Sequence, residues 1–519
     1  MNPQKLSEVE NNPDKRAAGA QSTLVQGSAP QLDSLERALI ASIAALSILA
    51  ALLFLITALR RWHYPYELEE LEGNMFLATL RVFRGEPLYV RPSLAFIPYM
   101  YPPGYYYLTA ALGHVMGMSI ATLRMTSILS TLGTFAVIFL LVWTETKRMV
   151  PALAGMGIYA GCYALCGGWF DLGRVDSLFL FVVALAIYST RHLNPILTAI
   201  LWVLAFEIKQ SILPAAFVIL CSLWPERRRL VPAMSTFIAG VAGSVLYLNH
   251  VTQGWYYFYV FTVPGANADL KARTAALFWS LDIVRPLGLV LMVILTACLI
   301  TPPSLRNPAT RFYVACCSLI PLFWWIRTHS GSTMNAVMPI YLLLAILFGI
   351  SFGRLLVVWA GADKLDRPAA VLLLIAVLIA ELAGLYNPGD FVPSLETRQS
   401  LDRVVADIRV LPGQTYIAQH PYYGWLAGKS TSADLVAIHD ALRVNRSDVQ
   451  DPLRQDLRLA VEDHRYQEFV IETPSSTEDI DALLKQHVDW AALYSDMREL
   501  PGVPLRTHPA WLIEAKPAR

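Results

Sequence analysis

The chain has 519 residues, of which 55% are hydrophobic and only 16% are charged, and its formal net charge is +1. Soluble domains carry about 25% charged residues, and a balanced charge gives no indication of nucleic-acid binding. Apolar runs of membrane-spanning length recur along the sequence, so it predicts an all-α polytopic membrane protein. The six cysteines lie within these runs and predict no disulfide framework.

The N-terminal region is polar up to residue 36, which predicts a disordered cytoplasmic tail at 1–36. The apolar run from Ala38 to Leu59 has no cleavage-site pattern, so we interpret it as an uncleaved first transmembrane helix. A loop at residues 60–107 follows this helix. Hydropathy predicts ten further spans, at 120–143, 151–169, 177–190, 195–207, 211–224, 231–249, 284–301, 311–326, 334–352 and 369–386. Together, about 11 spans form a predicted transmembrane domain at 37–389.

The basic residues set the expected orientation, because cytoplasmic loops are enriched in Lys and Arg. The triplet at 227–229 and the basic residues of alternate loops place the N-terminus in the cytoplasm. The segments with unusual polar or aromatic groups then lie on the outer face of the membrane, at 60–107, 171–176, 207–210, 250–282 and 327–330. We therefore expect these segments to gather on one side of the protein.

The composition changes at residue 390, after which the chain is rich in charge and has no run of membrane length. Helical spacing predicts helices at 394–410, 451–462 and 477–487. Short runs of strand-forming residues predict strands at 414–419, 468–472 and 510–515. Residues 390–519 thus predict a small extracytoplasmic α/β domain.

Four carboxylates lie within six residues of the 60–107 loop: Glu67, Glu69, Glu70 and Glu72. On a short helix, Glu69 and Glu72 would share one face and Glu70 would point away. A carboxylate beside apolar surface has a raised pKa unless it is paired, which suits a general base. Glu69 and Glu72 are therefore catalytic candidates, and the alternative is a solvated loop with surface glutamates.

Aromatic and charged residues elsewhere on the same side are further candidates. The Tyr-Pro-Pro-Gly run that begins at Tyr101 predicts a rigid turn, and Tyr101 and Tyr105 could stack on a sugar or belong to an aromatic belt. Asp171, Arg174 and Asp176 form a charged trio at a membrane boundary, where Arg174 can pair with either carboxylate. Such a trio is either a structural clamp or part of a polar site.

Lys209 and Gln210 lie between two short apolar segments. The Lys209 ammonium could neutralise a phosphate, and the alternative is a side chain that extends to the membrane surface. Arg327, His329 and Asn335 add anion or hydroxyl partners, although His329 by itself is typical of a boundary residue.

A series of short motifs resembles the GT-C fold glycosyltransferases. In the first outer loop these are Glu67–Gly73, Gly85–Tyr89 and Tyr101–Pro103. Phe170–Ser177, Lys209–Ser211 and Asn335–Ala345 follow in order, and the resemblance runs from about 38 to 386. The chain is most similar to the bacterial relatives of protein mannosyltransferases and of the aminoarabinose lipid A transferase.

The resemblance implies an inverting transfer of a sugar from a polyprenyl-phosphate carrier to a lipid, glycan or protein acceptor, at the outer face of the inner membrane. An acidic residue of the first outer loop would act as base toward the acceptor or would orient it, and members usually have Asp where Glu69 stands. The predicted partners of the donor phosphate are Lys209, Arg174 and Arg327. The predicted substrate-binding residues are Asp171, Asp176, Gln210, Tyr101, Tyr105, His329 and Asn335. No nucleotide cofactor is expected, because the lipid carrier replaces the nucleotide, and a divalent metal among the acidic residues stays open.

Two other classes remain as alternatives. A ligase or polymerase of lipid-linked glycans expects a large outer loop late in the membrane region, whereas the long loop of this chain comes first. A lipid or solute transporter or flippase expects charges on broken helices at the bilayer midplane, often with repeat symmetry. Here the charges lie at the predicted outer boundaries, and the sequence contains no visible repeat.

Overall fold

A computed structural model describes residues 34–266, 269–329, 331–360 and 386–472, together with 479–480, 482, 498–499 and 511–514. The predicted cytoplasmic tail, apart from its last three residues, lies outside the described residues, and so does the predicted span at 369–386, apart from Tyr386. The first helix begins at Ser34, before the predicted end of that tail.

The described residues of the membrane region are mainly helical, as the hydropathy predicted. Its principal helices are α1 (Ser34–Trp62), α2 (Glu72–Phe83), α3 (Gly104–Met116), α4 (Ile120–Thr146), α5 (Met149–Gly161), α6 (Val175–His192), α7 (Pro195–Ile208), α8 (Leu213–Cys221), α9 (Arg227–Val251), α10 (Arg285–Ile300), α11 (Pro308–Cys316), α12 (Leu319–Arg327) and α13 (Met338–Ala360). Between α9 and α10 the chain forms short helical pieces at 255–266 and 272–284. Each of these includes a π-helical segment, Phe258–Thr262 in the first and Phe278–Val284 in the second.

Seven helical stretches in the described part are long and apolar enough to cross a membrane, and three shorter apolar helices accompany them. The long stretches are Ile40–Trp62, Ile120–Thr146, Val175–His192, Arg227–Val251, Ala272–Ile300, Pro308–Arg327 and Met334–Trp359. The chain is therefore a multi-pass membrane protein. The predicted pair of short segments around Lys209 corresponds to two of the shorter helices, Pro195–Ile208 and Gln210–Cys221.

Small residues allow the central helices to pack closely, because helix association within a membrane depends on backbone approach and van der Waals contact. A Cβ atom on Gly157 of α5 would lie 2.5 Å from Cβ of Ser47 on α1. On α13, a Cβ atom on Gly349 would lie 2.9 Å from the carbonyl oxygen of Pro151 at the start of α5. Helix α5 is therefore packed closely between α1 and α13, and the loop at 162–174 follows it.

The C-terminal region folds as a small sheet with helices, which are α14 (Leu395–Val410), α15 (Pro421–Leu426), α16 (Leu435–Arg443) and α17 (Ser447–Glu462). Its strands are β1 (Thr415–Ile417), β2 (Glu468–Ile471), β3 (Arg498–Glu499) and β4 (Trp511–Glu514). The sheet order is β1-β2-β4-β3, and β1 pairs parallel with β2 while the other pairs are antiparallel.

The sequence predicted α14, α17 and three of these strands, but it missed α15 and α16. Helix α17 begins at Ser447, four residues before the predicted position, because Pro452 is accommodated inside its first turns. The helix predicted at 477–487 lies almost entirely outside the described residues.

The C-terminal region packs directly on the first loop of the membrane region. The Tyr422 hydroxyl donates to the carbonyl of Pro65 at 3.0 Å, and the Ala433 N–H donates to the carbonyl of Leu94 at 2.7 Å. The ring centroids of Phe76 on α2 and Trp425 on α15 are 4.7 Å apart. These contacts fix the C-terminal region over one end of the helix bundle.

Candidate active site

A cavity of about 790 Å³ lies where the first loop, the ends of the membrane helices and α16 meet. Seven of the residues predicted from the sequence line it: Glu69, Tyr101, Arg174, Lys209, Gln210, His329 and Asn335. The segments expected on the outer face therefore do gather at one end of the protein. Other lining residues were not predicted, among them Glu70, Trp169, Lys271, Trp325, His439, Asp440 and Arg443.

Glu69 presents a carboxylate to this cavity from the turn before α2. Its Oε2 atom lies 2.6 Å from Nη1 of Arg174 and accepts the N–H of Leu71 at 3.1 Å. The side chain is 18% exposed. Burial raises the pKa of Glu69 above its ordinary value, and the Arg174 charge opposes this rise. Glu69 therefore combines access to the cavity with the electrostatics of a base.

Glu72 has a different environment, and the shared helical face expected for Glu69 and Glu72 is not observed. Helix α2 begins only at Glu72, so Glu69 precedes it in a turn. The Glu72 side chain is fully buried, does not line the cavity, and forms ion pairs with Arg124 at 2.8 and 2.7 Å. It also accepts the N–H groups of Leu68 at 2.9 Å and Gly173 at 2.7 Å.

This pairing determines the charge on Glu72. Burial alone would raise its pKa, but the Arg124 guanidinium and the two backbone N–H groups hold the pKa of Glu72 below its ordinary value. A carboxylate that stays ionised and is already fully hydrogen-bonded has no free oxygen for a substrate proton. The geometry therefore favours Glu69 over Glu72 as base and gives Glu72 a structural role.

Arg124 was missed by the sequence analysis although a signal was present, since it is a charged residue inside the apolar run predicted at 120–143. Its side chain is fully buried on α4. Besides Glu72, the guanidinium donates to the carbonyls of Arg61 at 3.2 Å, Tyr64 at 2.5 Å and Tyr66 at 2.6 Å. Arg124 thus holds the beginning of the acidic loop against the helix bundle.

Arg174 pairs with Glu69 rather than with either predicted aspartate. Its guanidinium lies 4.8 Å from the Trp169 ring centroid, and Nη2 is 3.4 Å from the Tyr101 hydroxyl. Its Nε atom is buried and has no hydrogen-bond partner among the described residues. Asp171 does not line the cavity, because it pairs with Arg61 at 3.4 Å and accepts the Tyr163 hydroxyl at 3.1 Å.

A second polar group forms around Asp176 at the start of α6. Its Oδ1 atom accepts Lys209 Nζ at 2.7 Å and Asn335 Nδ2 at 3.1 Å, so it positions two cavity-lining side chains without lining the cavity itself. Gln210 donates to the carbonyls of Met100 and Val260, both at 2.9 Å. Lys209, Gln210 and Asn335 are therefore rigidly held at the ends of three different membrane segments.

Of the three remaining predicted residues, two lie away from the cavity and one lies at its wall. Arg327 does not line it, because its Nε pairs with Oδ2 of Asp282 at 3.0 Å. Tyr105 is fully buried inside the protein at the start of α3 and is not a lining residue. His329 lines the cavity, but its Nδ1 lies 2.5 Å from the carbonyl of Trp325, whose ring centroid is 4.1 Å away.

The residues described by the structure contain no group of three or more His, Cys, Asp or Glu side chains arranged to hold a metal ion. The positively charged side chains that line the cavity in the described part of the chain are Arg174, Lys209, Lys271 and Arg443.

No family model matches the chain, and no curated protein does. Two crystal structures of ArnT from Cupriavidus metallidurans are similar to it, one bound to undecaprenyl phosphate and one in the apo state. They share 12% sequence identity with the chain, cover 91% and 90% of it and 99% of their own length, and give TM-scores of 0.57 and 0.56. The chain has the GT-C fold. At this identity the similarity establishes the fold of the chain alone, and the GT-C resemblance of its motifs is confirmed at that level.

Proposed function

We propose that the chain transfers a sugar from a polyprenyl-phosphate carrier to an acceptor at the outer face of the inner membrane, with inversion at the anomeric carbon. The observation that carries the proposal is the Glu69–Arg174 pair, which brings a carboxylate and a guanidinium together in one cavity at the ends of the membrane helices. The GT-C fold supports it, since one ArnT structure of this fold is bound to undecaprenyl phosphate.

The proposed reaction is a single displacement. Glu69 accepts the proton of the acceptor hydroxyl through Oε1, because Oε2 is engaged by Arg174 and Leu71. The acceptor oxygen then bonds to the anomeric carbon, and the bond from that carbon to the phosphate oxygen breaks. The electron pair of that bond remains on the polyprenyl phosphate, which leaves as an anion.

Arg174 and Lys209 would stabilise the negative charge that develops on the leaving phosphate. The Arg174 side chain lines the cavity, as Lys209 does, and Lys209 is held in place by Asp176. Arg327, which pairs with Asp282 outside the cavity, is not part of this proposal. The fixed positions of these cations matter because preorganised charges cost no reorganisation during the reaction.

The test is the Glu69→Gln variant, assayed with the full-length protein in membranes by mass spectrometry of the sugar-modified product. A general base contributes about 10²- to 10⁴-fold to the rate, so the variant should lose activity by about this factor. Glu69→Gln also removes the counter-charge of Arg174, whose side chain is only 3% exposed, so thermal unfolding is measured in parallel and rates are compared for folded protein. Glu86→Gln is a matched control from the same loop, since Glu86 is exposed and pairs with Arg81.

Wild-type activity in Glu69→Gln would refute the role of Glu69. A product in which the whole glycan has moved from its lipid carrier would indicate the ligase, and transport of an unmodified lipid or solute would indicate the flippase or transporter.

A further inference from the structure

Helix α16 of the C-terminal region presents one mainly polar face to the cavity. Its lining residues are Val436, His439, Asp440 and Arg443, with the i, i+3, i+4, i+7 spacing of a single helical face. The other faces of α16 are buried. A polar face on a small domain normally contacts solvent, whereas this face shares a cavity with the proposed base.

Helix α16 is held firmly against the membrane region. Asp434 caps it by accepting the N–H of Val436 at 2.6 Å, and the same carboxylate accepts the hydroxyl of Tyr99 at 3.2 Å. Tyr99 belongs to the first loop and also lines the cavity. One carboxylate thus ties the start of α16 to the loop that carries Glu69.

Small side chains permit this close approach. Ala437 and Ala441 line a narrow crevice together with Tyr259 and Val263 of the segment that follows α9. Helix α16 is therefore fixed at its start by Asp434 and along its side by the packing of Ala437 and Ala441. A helix held in this way can position side chains accurately, which a binding surface requires.

The two walls of the cavity differ in origin. Lys209, Gln210 and Asn335 lie at the ends of membrane segments, where a phosphate can be bound while its polyprenyl chain stays in lipid. The α16 wall belongs to the domain on the other side of the cavity. In a single displacement the attacking acceptor oxygen and the leaving phosphate lie on opposite sides of the anomeric carbon. If the phosphate occupies the membrane-side wall, the α16 wall is the one left for the acceptor.

The chemistry of this wall is that of a surface for hydroxyl groups. His439, Asp440 and Arg443 supply hydrogen-bond donors and acceptors for them. The aromatic side chains of Tyr99, Trp169 and Trp325 line the same cavity and provide apolar ring faces. We propose, on the basis of the proposed function, that the polar face of α16 recognises the acceptor and that the acceptor is a saccharide.

The experiment uses the full-length protein with Asp440→Asn and Arg443→Gln. Matched controls are Asp451→Asn and Arg458→Gln, which lie exposed on the neighbouring helix α17 and do not line the cavity. Donor-side binding is measured with undecaprenyl phosphate in nanodiscs. The modified acceptor is identified by mass spectrometry of glycans, lipids and proteins from expressing cells, and thermal unfolding reports folding.

Each α16 variant should lower formation of a sugar-modified saccharide by about tenfold or more, because each loses a hydrogen bond to or from a charged group. Undecaprenyl phosphate affinity should stay within about twofold, a change that is small on the scale of binding free energies. The control variants should match wild type.

Wild-type product levels in both α16 variants, or an equal loss of undecaprenyl phosphate binding, would overturn the assignment to the acceptor. Sugar found on a protein side chain or on a lipid phosphate would overturn the saccharide class. A wild-type protein that adds no sugar to any acceptor would overturn the proposed function itself, which distinguishes that failure from a failure at α16.

Discussion

The buried pair of Glu72 and Arg124 leads to a prediction about stability. Glu72→Gln removes the negative charge and leaves the Arg124 guanidinium buried without a counter-charge, since both side chains are fully buried. Breaking a buried ion pair by removing one partner costs about 3–5 kcal/mol. Proteins are stable by only about 5–15 kcal/mol, so we expect a large fall in melting temperature and in yield.

The structure adds a consequence for activity. Glu72 also accepts the N–H of Gly173, the residue before Arg174, so its loss disturbs the position of Arg174 as well as the stability. The assay is thermal unfolding of the purified protein in detergent, with Glu86→Gln as the exposed control. A Glu72→Gln protein that unfolds at the wild-type temperature would refute the reasoning.

A double variant separates the charge effect from lost hydrogen bonds. Glu72→Met combined with Arg124→Met removes both buried charges, and apolar replacement of such a pair is often neutral. It should therefore unfold at a higher temperature than Glu72→Gln. It should not reach wild-type stability, because three backbone carbonyls lose the Arg124 donor.

The remaining predictions concern pH and the donor. Burial raises the pKa of Glu69 above 4.5, so kcat/KM should fall as the pH drops through this raised pKa, with an acid limb above pH 4.5. Arg174 opposes that rise, so Arg174→Met should move the acid limb to higher pH, and an unmoved limb would contradict the coupling. Lys209→Gln should raise the donor KM about 10- to 100-fold and leave the acceptor KM unchanged, whereas equal effects on both would argue against phosphate binding. Because Lys209 pairs with buried Asp176, Lys209→Gln with Asp176→Asn is its charge-balanced control.

Much of the architecture could be predicted because hydropathy and motif order are local properties of the sequence. The membrane helices follow from apolar runs, and the GT-C fold follows from short motifs in order. Helices α15 and α16 were missed because they are short.

The site could be predicted only in part. Lys209, Gln210 and Asn335, which line the cavity, were predicted as candidates because polar residues at the ends of apolar runs are conspicuous. Arg327 was predicted for the same reason, yet it pairs with Asp282. Asp282 lies on a distant part of the sequence, so the residues around Arg327 do not reveal this pairing. The α16 residues that line the cavity lie more than 300 residues beyond Glu69 in the chain, so no local sequence pattern indicates that they meet it.

The sequence by itself determined that the chain is a polytopic membrane protein with an acidic first loop and a charged C-terminal region, since composition and hydropathy suffice for that. Only the tertiary structure distinguishes the environments of Glu69 and Glu72. The two carboxylates are three residues apart, and their difference arises because Arg124 of α4 neutralises Glu72 in the interior while Arg174 holds Glu69 at the cavity. The partners of a carboxylate, which the local sequence does not specify, determine its charge and its access to substrate.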